Sequence, residues 1–233
     1  MLNSEQLVDR LLMEGCLLEY KLSSTQINLP PEHADFLVQW GRTNIPDKVL
    51  FTEEADNGRE TEPHVTVLYG LTEPTPGSCL TDILDDFPVF EVDFGLVSIF
   101  ENEKYDVVKL SVESPLLRVL HAQIKAQCSN EYKFPDYQPH CTLAYVLPGE
   151  GARFKGRAVF EGEGAPKPSF WVKDVLFSGK GEDNLRKSFS LRSRKEAAGE
   201  VAETKSPFDG IPFSDVQTWM RSRGVRPRRN FVG

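Results

Sequence analysis

A histidine and a threonine occur twice in the same setting. Pro63-His64-Val65-Thr66-Val67-Leu68-Tyr69 and Pro139-His140-Cys141-Thr142-Leu143-Ala144-Tyr145 share a proline before the histidine, a threonine two residues after it and a tyrosine five after it. A histidine pair suits proton transfer. With an unperturbed pKa of ~6.5, one ring can be neutral and accept a proton while the other is protonated and donates one. The threonine hydroxyls can donate hydrogen bonds to oxygens on which charge develops. His64, Thr66, His140 and Thr142 together fit cleavage of a phosphate ester, with neither metal nor cofactor required.

Alternate residues of a strand share a face. His64 and Thr66 should therefore point one way, as should His140 and Thr142. Tyr69 and Tyr145 should fall on the other face with the apolar residues and serve in packing. The His/Thr faces are left to line a shared groove.

The elements that must position these strands can be read from periodicity. The pattern predicts a short helix near the start (Ser4 cap, then Leu7, Val8, Leu11 and Leu12), a strand over 24–29 and a helix opened by Pro30-Pro31 and ending near Gly41. A strand over 48–52 and a polar loop over 53–62 lead to the first motif. Leu80, Ile83, Leu84 and Phe87 have helical spacing, and alternating strands follow around 90–96 and 108–112. Ser114-Pro115 is a helix start, with Leu117, Leu120, Ile124 and Cys128 on one face. A loop then leads to the second motif strand, 140–146, and a last strand is expected over 169–177. His33 reads as a surface or capping residue and His121 as a packed helix histidine. The order strand, helix, motif strand occurs twice, which predicts a duplicated α+β lobe.

The four cysteines are far apart and show no CxxC pair, which points to reduced, mostly buried thiols, and no histidine lies at zinc-ligand spacing from them. No run approaches the ~20 apolar residues of a membrane span. The first residues lack a signal-peptide pattern, so a cytoplasmic location is expected, the host cytoplasm if the chain is viral. Charge is uneven: residues 186–233 hold eleven Lys or Arg and five Asp or Glu, about +6, which leaves about −14 of the whole-chain −8 for residues 1–185. An acidic body matches long nucleic acid poorly, since that affinity comes from neutralising many phosphates, and it favours a small nucleotide or short oligonucleotide. Residues 1–180 read as the catalytic domain, 181–206 as a charged linker and 207–233 as a basic tail with one helix around Trp219 that contacts a protein partner or RNA.

On its two His-x-Thr motifs, His64-Val65-Thr66-Val67 and His140-Cys141-Thr142-Leu143, the chain resembles the 2H phosphoesterase superfamily, the LigT-like or 2′-5′ RNA ligase-like proteins, over roughly residues 20–180. The resemblance implies a bilobal, pseudo-twofold α+β fold, with two small antiparallel sheets facing a central cleft and helices outside. It also implies hydrolysis of 2′,3′-cyclic phosphates, cleavage of 2′-5′ linkages or cleavage of cyclic oligonucleotide signals. The last is the activity of phage anti-CBASS phosphodiesterases, which serve immune evasion. Tyr137, Tyr105 and Phe134 are candidates to stack on a base. Lys104, Lys109 and Lys133 could add positive charge, although each reads more simply as a solvated surface residue. The alternatives are 2′,3′-cyclic phosphate processing at RNA ends and a nucleotide-binding protein without turnover. Which histidine is acid and which is base stays open at this level.

Overall fold

Two prolines open the two longest helices among the described residues. Pro31 begins α1 (Pro31–Asn44) and Pro115 begins α3 (Pro115–Gln127). Both sit in the first turn, where the absent N–H would have had no helical partner. Ser114 caps α3: its Oγ accepts from the Leu117 amide at 3.4 Å and donates to the Glu91 carbonyl at 2.8 Å, tying the helix start to the sheet. The third helix, α2, spans Ser78–Asp86 and buries Leu80 and Leu84.

The structure, a computed structural model, describes residues 22–53, 57–180 and 185–192. The helices expected near Ser4 and Trp219 lie outside the described residues, as does most of the stretch read as a linker and tail. The described residues form eight strands: β1 (Ser23–Asn28), β2 (His64–Leu71), β3 (Phe90–Glu101), β4 (Asp106–Glu113), β5 (His140–Val146), β6 (Ser169–Val172), β7 (Asp174–Ser178) and β8 (Arg186–Ser190).

They form one antiparallel sheet in the order β6-β3-β4-β5-β2-β1-β7-β8. The expectation of two separate sheets is corrected to a single one, because the motif strands β2 and β5 pair with each other. That seam is narrow, with Val65 against Cys141 as its one ladder pair, and on either side of it the strands part. The segment 169–177, expected as one strand, is two. β6 pairs with β3 and β7 pairs with β1, so the chain crosses between the two halves of the sheet at Lys173. The Lys173 carbonyl accepts from the Leu191 amide at 2.7 Å, which fastens the crossing.

Three further expectations change. Residues 48–52 are not a strand: a short 3-10 turn at Asp47–Val49 follows Pro46, and Leu50 makes a lone bridge to Val146. His33 is not at the surface. It is 2% exposed among Phe94, Phe160 and Phe170, and its Nε2 donates to the Lys167 carbonyl at 2.9 Å. Cys79 and Cys128 are joined in a disulfide between α2 and the end of α3, with Cα atoms 5.8 Å apart, while Cys141 is a buried thiol. The sheet also reaches into the stretch read from its charge as a linker, because Phe189 and Leu191 are buried there.

The repeat is visible in the packing, with partners exchanged. Helix α1, which precedes β2, packs on β5, and α3, which precedes β5, packs on β2. The loops follow the same rule. Residues before β2 bond to β5 (Phe51 amide to Tyr145 carbonyl, 3.0 Å; Glu60 amide to Leu143 carbonyl, 3.0 Å), and residues before β5 bond to β2 (Glu131 amide to Gly70 carbonyl, 2.8 Å). Each motif strand is therefore held by the elements that lead into the other.

Candidate active site

In the antiparallel register set by Val65 and Cys141, one step either way brings His64 across from Thr142 and Thr66 across from His140. All four side chains are partly exposed, whereas Val65 is fully buried beneath them with Cys141.

The two imidazoles are anchored identically. Nδ1 of His64 donates to the Glu62 carbonyl at 2.9 Å, and Nδ1 of His140 donates to the Gln138 carbonyl at 2.7 Å. A carbonyl can only accept, so the proton sits on Nδ1 and Nε2 is the ring atom available for proton exchange. In a neutral ring Nε2 offers a lone pair, and in a protonated ring it offers N–H. Each histidine is thus oriented to exchange a proton through the same atom.

Both motif strands carry a β-bulge after the threonine. On β2, Thr25 pairs with Leu68 while Gln26 pairs with Thr66. On β5, Val108 pairs with Ala144 while Lys109 pairs with Thr142. One extra residue in each strand reverses the alternation. Val67 and Leu68 both turn inward, as do Leu143 and Ala144, and the following tyrosines change sides. Tyr69 and Tyr145 therefore lie on the His/Thr face, contrary to the simple alternation.

The 2′-5′ RNA ligase superfamily model matches residues 51–177, more than half of the chain and both motifs. The chain belongs to this superfamily. These are the two-histidine (2H) phosphoesterases, and the protein is a phosphodiesterase of that type. No curated relative matches the sequence. Among solved structures it is similar to TT0787 of Thermus thermophilus (16% identity, 74% of this chain and 99% of that one, TM-score 0.49). It is also similar to E. coli LigT complexed with NADP+ (17%, 74% and 95%, 0.47) and to Kluyveromyces marxianus Usb1 with uridine monophosphate (8%, 75% and 100%, 0.45).

Within this 2H site the two halves are not electrostatically equal. Directly across β4–β5 from Thr142 stands Lys109, and directly across β1–β2 from Thr66 stands Gln26. Lys109 is 5% exposed; its Nζ donates to Ser98 Oγ at 2.9 Å and lies 3.8 Å from the Phe100 ring centroid. The Phe100 ring meets His140 in a T-shaped contact at 5.0 Å. None of the ion pairs among the described residues involves Lys109. Burial holds its ammonium below the usual lysine range. The pKa of His140 is lowered, first by burial and then by the charges of Lys109 and His64, against a raising contribution from the Gln138 hydrogen bond. The solvated-surface reading of Lys109 is thereby corrected. Its cross-strand partner could not be known from its own strand.

The three aromatic candidates separate. The Tyr137 ring stacks on His121 at 3.9 Å between centroids, and its hydroxyl donates to the Thr66 carbonyl at 2.8 Å. His121 in turn donates from Nδ1 to the Val67 carbonyl at 2.7 Å. Both groups bond to the bulge of β2, and one face of the Tyr137 ring is taken up by His121. Tyr105 sits in a T-shaped pair with Tyr145 at 5.4 Å and against Phe51 at 5.2 Å. Phe134 is 61% exposed, in a T-shaped contact with Tyr132. Among the described residues no group of three His, Cys, Asp or Glu could hold a metal ion, and no helix is long and apolar enough to cross a membrane.

Proposed function

We propose that the protein cleaves a phosphodiester in a small nucleotide, a cyclic oligonucleotide or a 2′-5′-linked signalling nucleotide, with His140 as general base and His64 as general acid. The matched Nδ1 anchors carry this reading, since they turn both Nε2 atoms to proton exchange in one groove. His140 Nε2 takes the proton from the attacking hydroxyl, of water or of a ribose, as its oxygen bonds to phosphorus. His64 Nε2–H gives its proton to the leaving oxygen as that P–O bond breaks. Thr66 and Thr142 donate to the non-bridging oxygens, where negative charge grows.

Lys109 supports the assignment of roles. A cation beside His140 disfavours its imidazolium, and a base must be neutral to act. The same charge lies across from Thr142, on the side where the phosphoryl oxygens would sit. The acidic balance of residues 1–185, about −14, supports a small substrate over long RNA.

The test is turnover of a panel of 2′,3′-cyclic nucleotides, 2′-5′ oligoadenylate, and cyclic di- and trinucleotides, with EDTA present. H64A and H140A should each lose on the order of 10²–10⁴-fold in kcat on the substrate that is cleaved. An aryl phosphodiester with a good leaving group should lessen the loss in H64A and leave the loss in H140A. Cleavage that survives in both variants, or that EDTA abolishes, contradicts the two-histidine mechanism. Equal relief of both variants by the aryl ester contradicts the assignment of acid and base.

A further inference from the structure

The two bulges put the tyrosines where a second kind of recognition is possible. β2 and β5 run antiparallel away from the Val65–Cys141 pair. Tyr69 and Tyr145 each lie four residues beyond it, in opposite directions and on the His/Thr face. At the usual strand rise, with one residue lost to the bulge, each is roughly 10–13 Å from the centre of the site. The order along the groove is Tyr69, then Thr66 level with His140, then His64 level with Thr142, then Tyr145. Aromatic rings stand at both ends of a site built for one phosphate.

Tyr69 is 40% exposed, although a residue on the other face would have been buried as Val67 and Leu68 are. Tyr145 is half-buried, its ring buttressed by Tyr105 and, behind that, Phe51. Each bulge is stabilised from outside, β2 by Tyr137 and His121 at the Thr66 and Val67 carbonyls, and β5 by the Glu60 amide at the Leu143 carbonyl. The fold thus commits hydrogen bonds in both halves to keep each tyrosine on the side of the chemistry.

We infer that Tyr69 and Tyr145 are nucleobase platforms, one at each end of the groove, and that the substrate carries a nucleoside on both sides of the scissile phosphate. This rests on the reading that the phosphate sits between His64 and His140. A 2′,3′-cyclic mononucleotide has one base and can use one platform. An internal phosphodiester of a linear or cyclic oligonucleotide has two flanking bases that leave the phosphorus in opposite directions, as the two halves of the groove do. Every base has a π-face, so such platforms select for a two-sided linkage without selecting for sequence.

The experiment uses the full chain carrying H64A, so that the probe is not consumed. The probe is a 2′-5′-linked dinucleotide of 2-aminopurine and adenine, made with the fluorophore in either position, because stacking quenches 2-aminopurine. Binding should quench both isomers. Adding Y69A should remove the quenching of one isomer and Y145A that of the other, each weakening binding on the order of tenfold or more. Y69F and Y145F should retain it. Y145L, which still fills space, replaces Y145A if that variant does not fold. Quenching in neither isomer, loss from the same isomer in both variants, or quenching untouched by either variant overturns the inference. The mechanism itself fails by a different result, turnover in H64A equal to that of the wild type, so the two failures are distinguishable.

Discussion

Lys109 stands directly opposite Thr142 in the β4–β5 ladder, a buried ammonium on the face that carries the histidines. Its counterpart opposite Thr66 is the neutral Gln26, which donates to Asn28 Oδ1 at 3.0 Å. The pseudo-symmetry of the two motifs is therefore broken by one charge, and that charge is the source of the first prediction.

Replacing Lys109 with methionine removes a cation that lowers the pKa of His140. The His140 pKa should rise. A base must be neutral, so the acidic limb of the pH profile of kcat/KM should move to higher pH. At neutral pH the rate should fall roughly tenfold, the size of a ~1.4 kcal/mol change in the barrier. K109R should keep the limb near its original position. The same methionine should raise the thermal midpoint by a few degrees, about 1 kcal/mol, because a buried cation without a carboxylate partner opposes folding. An acidic limb unmoved in K109M would remove Lys109 from the mechanism.

Tyr137 gives the second prediction. Its hydroxyl holds the Thr66 carbonyl, while its ring stays stacked on His121. Y137F keeps the stack and deletes the hydrogen bond, which should cost about 1 kcal/mol of stability. If Tyr137 positions Thr66, kcat should fall several-fold with little change in KM. A residue that stacked on substrate would show the opposite split, a raised KM at unchanged kcat.

The family was legible in the sequence because its motif repeats: the proline, histidine, threonine and tyrosine offsets recur intact, and chance seldom repeats four. The helix starts were legible for a local reason, since Ser114-Pro115 and Pro31 act through their own backbone. What was hidden is what depends on a neighbour in space. The bulges that move Tyr69 and Tyr145 are visible only against β1 and β4, because a strand read alone continues its alternation. Lys109 looked like any surface lysine until Ser98, Phe100 and Thr142 surrounded it. The switch at Lys173 was hidden too, since Ser169–Val172 and Asp174–Ser178 are equally β-prone and differ only in the strand that each meets.

The disulfide gives the third prediction. Cys79 and Cys128 are 49 residues apart in sequence, and closing a loop of that size restricts the unfolded chain by roughly 2–4 kcal/mol. Reduction should lower the thermal midpoint by several degrees. The C79S/C128S variant should match the reduced protein and no longer respond to reductant. Activity at room temperature should be unchanged, because the bond joins α2 to the end of α3 rather than to a motif strand. A thermal midpoint insensitive to reductant would show that the two thiols are not paired.

Gly70 supplies the last prediction, at the point where β2 meets the loop that leads into β5. Its φ is +107°, and an added Cβ would stand 3.3 Å from the Glu131 carbonyl carbon and from the Tyr132 amide nitrogen. Those neighbours are backbone atoms and cannot swing aside, and the Glu131 amide already donates to the Gly70 carbonyl. G70A should therefore combine the left-handed penalty of about 1 kcal/mol with displacement of the 129–138 segment, for a total of roughly 2 kcal/mol or more in urea unfolding. Gly149 is the internal control. Its φ is +80°, but nothing lies within 4 Å of its would-be Cβ, so G149A should show the conformational penalty alone. Because Tyr137 reaches Thr66 from the displaced segment, G70A should lower kcat as well, and G149A should not. Equal stability losses in the two variants would mean that the loop yields freely, and that Tyr137 is not held firmly enough to position Thr66.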